Sequence, residues 1–265
     1  LSACLDAVIR RNPDGALFLG DYISDCPFPQ KTLALLRHFA DKIPCVWLRG
    51  NREDYFIAQQ QTPAPWQASS QTGSLLYTYD RLTEEDIARF SAFPACTCVN
   101  YTNLPGLTAC HGSPDSTRTT LHAGSPEANA ALAAIQTPYL LCGHTHRQIC
   151  YHAHGRTLIN PGSVGLPVFE RPEACFALLH GKADQWTPEF LQTPYDIEAL
   201  MAEFSQSGLD DIAKVYARAV RHMLRTGGNY VMPCVREAHA LAGENVLCEM
   251  HWEQAAHTLN IPSCG

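Results

Sequence analysis

No stretch of this chain reaches the roughly 18 consecutive apolar residues that span a bilayer. No basic segment leading into a short apolar one stands at its start, which argues against a signal peptide. An excess of positive charge is missing too: 26 Asp and Glu face 19 Lys and Arg, a formal net charge of −7. Large nucleic acids are therefore poor ligands, because affinity for a phosphate backbone needs clustered Lys and Arg. The chain has twelve cysteines but no C-x-x-C pair, so neither a zinc ribbon nor a disulfide framework is expected. Cys45, Cys98, Cys110, Cys142 and Cys150 sit in or beside apolar runs, where a free thiol acts as a small hydrophobe. Reduced thiols point to the cytoplasm. There is no G-x-G-x-x-G and no P-loop lysine. Gly162-Ser163-Val164-Gly165 is one residue short of a nucleophile elbow and reads as a turn lining the substrate side. Methionine is absent from position 1. Leu1, Leu5, Val8 and Ile9 already follow helical spacing, so the chain is expected to open within a helix, with further sequence upstream.

What is present is apolar enough for a sizeable core, at 46% hydrophobic residues over 265 positions. Helical patterns cover residues 1–11, Thr32–Ala40, Glu84–Ser91 behind a Thr83 cap, and a segment from Pro126 to about Ile135 behind a Ser125 cap. Short apolar strands are expected at Ala16–Leu19, Pro44–Leu48, Ala95–Val99, Leu107–Cys110 and Tyr139–Cys142. A hairpin around Gly155 joins Gln148–His152 to Arg156–Ile159, and Ala174–Leu179 and Gln185–Leu191 are two further strands. This alternation argues for a layered α/β domain over residues 1–192. From Asp196 the pattern turns helical, with Leu209, Ile212, Tyr216, Ala219 and Met223 on one stripe and another helix over Trp252–Leu259. Residues 193–265 read as a C-terminal helical appendage joined through Thr193-Pro194, open between a lid and a dimer contact.

Four of the strands end in polar residues of one kind. LFLGD delivers Asp21, VWLRGN delivers Asn51, LTACHG delivers His111, and LLCGHTH delivers His144 and His146. In layered α/β folds ligands gather beyond the carboxyl ends of strands. Imidazole and carboxylate suit Mn, Fe, Co, Ni or Zn. If the last segment is extended, residues two apart share a face, and both histidines point into one crevice.

Gly20-Asp21, Gly50-Asn51-Arg52-Glu53, His111-Gly112 and Gly143-His144-Thr145-His146 together resemble motifs of the calcineurin-like metallophosphoesterases. The nearest branch is the bacterial one that carries INPGSVG, present here as residues 159–165. The resemblance implies a β-sandwich of two mixed sheets flanked by helices, with two divalent metal ions at one edge. It implies that Asp21 bridges the ions, that Asn51, His111 and His144 complete one shell, and that His146 serves the other ion. The family chemistry is hydrolysis of phosphomonoesters or phosphodiesters by a metal-bridging hydroxide. A protein serine/threonine phosphatase and a dinucleotide polyphosphate hydrolase are alternatives within it.

Two departures stand out. The family's opening D-x-H-G, which supplies an Asp and a His to the ion served by His146, has no counterpart here. The chain as given is expected to bind that ion weakly and to show little activity. A non-catalytic relative that holds one metal and a protein partner is the rival reading. The second departure is Arg52, where many members have a proton-donating histidine. Arginine stays charged, so Arg52 is expected to grip phosphate. The alternative is an exposed arginine paired with Glu53 or Asp54. Asp25 is a candidate for orienting the site, and Arg147 for a surface position or a substrate contact. The expected partner is a small phosphorylated substrate or a phosphoprotein, and the oligomeric state is open.

Overall fold

A computed structural model describes residues 1–263. The chain opens with α1 (Ser2–Ile9), which buries Cys4 and Leu5 and ends ahead of Pro13. Strand β1 (Ala16–Phe18) pairs in parallel with β2 (Cys45–Trp47), and α2 (Pro29–Ala40) makes the crossover. Pro29 takes the first helical position, where its missing N–H costs nothing. Next come α3 (Asn51–Gln61), α4 (Gly73–Tyr79) and α5 (Glu84–Ala92). The Thr83 hydroxyl caps α5 by accepting from the Asp86 N–H.

A mixed sheet follows, built from β3 (Cys96–Val99), β4 (Leu107–Cys110), β5 (Tyr139–Leu141), β6 (Gln148–Ala153) and β7 (Arg156–Pro161) in the order β3-β4-β5-β7-β6. Its central strands are parallel and its outer pairs antiparallel. Helix α6 (Pro126–Ala134), capped by Ser125, joins β4 to β5. The β6–β7 turn holds His154 and Gly155 at positive φ, as a tight two-residue hairpin requires. A long hairpin, β8 (Glu173–Lys182) with β9 (Gln185–Pro194), completes the strands.

Alternation along the strands makes the layers. Leu107, Ala109, Leu141 and Ile159 face Leu17, Leu48, Leu179 and Phe190, so β1–β2 and β8–β9 cover one face of the mixed sheet. Cys110, Leu140, Cys142 and Leu158 turn to the other face and meet Leu132 and Ala128 of α6. The architecture is α/β, with sheets packed face to face and helices outside. The second layer consists of two separate pieces, one parallel and one a hairpin, that are not hydrogen-bonded to each other among the described residues.

Helices α7 (Ile197–Ser207), α8 (Leu209–Thr226), α9 (Val231–Ala242) and α10 (Glu249–Thr258) follow β9 directly. Thr193 and Pro194 are not a linker: they pair with Ala174 and Glu173 as the last residues of β9, an end position where a proline is tolerated. Phe204, Val220, Leu224, Cys234 and Trp252 form an apolar cluster that also takes in Tyr77 of α4. The helical segment therefore shares a core with the α/β layers. No described helix is long and apolar enough to cross a membrane.

Helices α3 and α4 have no clear sequence pattern. In α3 the apolar residues Tyr55, Phe56 and Ile57 are consecutive rather than spaced at helical period. All eleven described cysteines are unpaired; Cys110 and Cys142 are buried, whereas Cys98 and Cys150 are exposed rather than packed.

Candidate metal centre

The first donor, Asp21, lies just past β1 with φ at 55°. Its Oδ1 accepts the Arg52 backbone N–H at 2.8 Å, and its Oδ2 lies 3.3 Å from His111 Nε2. This junction leaves no room for a side chain at position 50, because a Cβ on Gly50 would fall on the Asp21 carboxylate. Asn51 opens α3 and is buried, with Oδ1 3.2 Å from His111 Nε2. His111 follows β4, and its Nδ1–H donates to the Leu19 carbonyl at 2.6 Å, which leaves Nε2 as the free lone pair.

His144 and His146 follow β5, but the segment between them is not extended. Both residues are left-handed, at φ 62° and 59°, and the Thr145 N–H closes a tight turn on the Gly143 carbonyl at 2.7 Å. The turn, not strand alternation, brings the imidazoles toward the site. His144 Nδ1 lies 3.2 Å from His111 Nε2. His146 donates from Nδ1 to the Leu166 carbonyl at 2.8 Å, and its buried ring senses the charges of Asp21, His111 and Arg52. Three of the four strand-end groups place Asp21, His111 and His144 donor atoms within 4.8 Å of one another, and Asn51 joins them through His111.

These groups fit a divalent cation. Donors held about 2.0–2.2 Å from such an ion lie about 3.0–3.5 Å from their neighbours in tetrahedral or octahedral shells. The separations here, 3.2 to 3.3 Å, match that spacing. His111 and His146 each have one ring nitrogen occupied by a backbone carbonyl, the outer contact that fixes tautomer and orientation in metal-binding histidines. Protonation states agree. Burial would raise the Asp21 pKa, but His111 and then Arg52 reverse this and bring it down to about 2. Burial, helped by His111, pushes His144 down to about 4, and burial also lowers His146. His111 moves up, because Asp21 outweighs its burial, so a cation and a proton compete for its Nε2.

Five supporting residues surround the cluster; Asp25 is a sequence candidate for orienting the site, whereas the sequence context of Glu53, Asn160, Ser163 and Tyr216 does not single them out for such roles. Glu53 is buried, and its carboxylate accepts N–H groups from Gly50, Asp21 and Tyr22 at 2.8, 2.8 and 3.0 Å, tying the β1 loop to the start of α3. Burial, and then Asp21, push its pKa up to about 7. Asn160 is buried within the INPGSVG run. It donates to the Gly143 carbonyl at 2.6 Å and to Thr145 Oγ1 at 3.0 Å, and accepts from the Gly162 N–H at 3.0 Å. Ser163 is a turn residue whose hydroxyl accepts the Leu166 N–H, and Leu166 in turn holds His146. Asp25 and Tyr216 bind Arg52: Arg52 Nη2 lies 2.8 Å from Asp25 Oδ2 and 3.1 Å from the Tyr216 hydroxyl.

The pairing of Arg52 with Glu53 or Asp54 is therefore not found. Glu53 is engaged by backbone, and Asp54 pairs with Arg49 at 2.6 Å and with Thr117 at 2.7 Å. The Arg52 side chain is only 24% exposed. Arg147 is exposed.

A family model described as the calcineurin-like phosphoesterase superfamily domain matches residues 2–184. Among solved structures, a hypothetical protein from Pyrococcus horikoshii OT3 superposes with a TM-score of 0.71 at 16% identity, covering 86% of this chain and 93% of its own. A metallophosphoesterase from Sphaerobacter thermophilus gives a TM-score of 0.61 at 23% identity, over 80% of this chain and 92% of its own. No curated protein matches the chain.

Proposed function

The chain belongs to the calcineurin-like phosphoesterase superfamily, and on that premise we propose that it hydrolyses a small phosphomonoester or phosphodiester at the Asp21 cluster. Asn51, His111, His144 and Asp21 hold one divalent ion, and His146 with Asp21 faces a second. Ions bound there supply Lewis-acid chemistry, which lowers the pKa of water and neutralises phosphoryl charge.

The chain's own groups do the rest. The backbone carbonyls of Leu19 and Leu166 keep His111 and His146 in the tautomer that presents Nε2. Glu53 and the Arg52 N–H fix the Asp21 carboxylate. The Arg52 guanidinium, permanently charged, meets the phosphoryl oxygens; it cannot protonate the leaving group, so that proton comes from water or from another group of the site. We place the protein in the cytoplasm, given its unpaired thiols.

The observation that carries this reading is the gathering of Asp21, His111 and His144 donor atoms within 4.8 Å of one another, with His111 and the neighbouring His146 each braced by a backbone carbonyl. The test is turnover of p-nitrophenyl phosphate and bis-p-nitrophenyl phosphate with Mn²⁺, against His111→Ala. Turnover that needs Mn²⁺ and is lost in the variant is expected. Tight binding of a single ion with no turnover of either ester would favour the non-catalytic, partner-binding reading.

A further inference from the structure

The helical segment reaches the site. Arg52 Nη2 forms an ion pair with Asp25 Oδ2 and donates to the hydroxyl of Tyr216, which lies in α8. Burial raises the Tyr216 pKa and Asp25 is close enough to push it further up, so both anchors sit together at the same guanidinium nitrogen. Nε and Nη1 of Arg52 have no partner among the described residues, and the guanidinium is close enough for Asp21 and His146 to sense its charge. One edge of the fork is anchored and the other is left to bind.

Helix α8 is deformed where it supplies Tyr216. Lys214, two residues earlier, has φ 47° and ψ −122° within the helix, a strained conformation for a lysine. The distortion is held in place from outside. The Val215 N–H donates to Ser70 Oγ at 3.1 Å, and Ser70 is gripped by the Glu249 carboxylate of α10 through its N–H at 2.8 Å and its hydroxyl at 2.6 Å. Gly73 lies against the Ile212 carbonyl so closely that a Cβ there would overlap it. The next residue, Ser74, donates to Asp25 Oδ1 at 2.7 Å and accepts the Asp25 N–H at 3.0 Å. Residues 70–74 thus set both anchors of Arg52, the tyrosine through the kink and the aspartate directly.

We propose that Tyr216 is a positioning residue for Arg52, and that the kinked α8 makes the helical segment part of the phosphate-binding wall. This rests on the phosphoester reading above. It assigns α8 neither to a lid nor to a dimer contact.

The test is equilibrium titration of inorganic phosphate into the Mn²⁺-equilibrated full chain, which needs no turnover. Tyr216→Phe keeps the ring and removes only the hydroxyl. Loss of one such hydrogen bond is expected to weaken phosphate binding about threefold to tenfold, with metal content unchanged. In an Arg52→Ala background the same substitution is expected to have almost no effect, because coupled groups are not additive. If Tyr216→Phe disturbs folding, Ser70→Ala, outside the site, carries the same cycle. Unchanged phosphate affinity, or an equal loss with and without Arg52, overturns the inference while leaving the hydrolytic reading intact. A wild-type chain that binds no phosphate overturns both.

Discussion

The strand-end loops and the helical segment bring side chains to one site by opposite routes. In the loops, Asp21, His144 and His146 all stand on left-handed backbone, and buried polar groups hold that geometry: Glu53 under the first loop, Asn160 under the second. Inside the helices of the helical segment the backbone is regular except at Lys214, and an apolar core containing Phe204, Val220 and Trp252 does the holding. The loops concentrate strain where the chemistry is and distribute the support around it. The helices distribute support through packing and confine strain to one residue beside the tyrosine they deliver. A site assembled this way has two kinds of weakness, one polar and local, the other apolar and remote.

That contrast can be broken experimentally. The largest effect is expected from His111→Ala, which removes the imidazole nearest to Asp21, Asn51 and His144. Mn²⁺ affinity, followed by metal analysis after desalting, should fall by at least about a hundredfold, and Mn²⁺-dependent turnover should vanish. Phe204→Ala attacks the other kind of support. Denaturant unfolding should show a loss of about 3–5 kcal/mol, while Mn²⁺ affinity of the folded protein stays within about twofold. A large drop in affinity there would mean that the metal loops lean on the helical core as well. Asn160→Ala should do the reverse, costing about 1–3 kcal/mol in the same unfolding measurement but weakening Mn²⁺ about tenfold or more. The smallest change is expected from Lys214→Gly. Relief of strain more than offsets the extra chain entropy of glycine, so the unfolding free energy should rise by up to about 1 kcal/mol. A fall would show that the kink stores no strain.

Much of the metal cluster is legible because strand ends announce themselves: an apolar run, then glycine, then a donor, as at Gly20-Asp21 and Gly143-His144. The Thr83 and Ser125 caps are legible for the same reason, since each role belongs to one residue type at one place. The conformation of the two-histidine segment is not, because period-two alternation assumes an extended chain and this one turns. Glu53 escapes notice because its partners are main-chain N–H groups, which leave no mark on residue identity. Tyr216 escapes for a different reason. It falls on the stripe with Leu209, Ala219 and Met223, and its ring does pack against the helical core; only its hydroxyl belongs to the site. A tyrosine with an apolar body and a polar tip satisfies both descriptions.

Gly50 has a consequence beyond holding two loops together. With the Asp21 carboxylate occupying the space a methyl group needs, even alanine at position 50 has to displace the Asp21 oxygen that accepts the Arg52 N–H or lever the start of α3 away from β1. Descendants of this chain, whether natural or selected in the laboratory, can explore alternatives at Arg52 or along α8 one step at a time. At position 50 no such gradual path exists, and variants recovered there should carry a second change in the β1 loop.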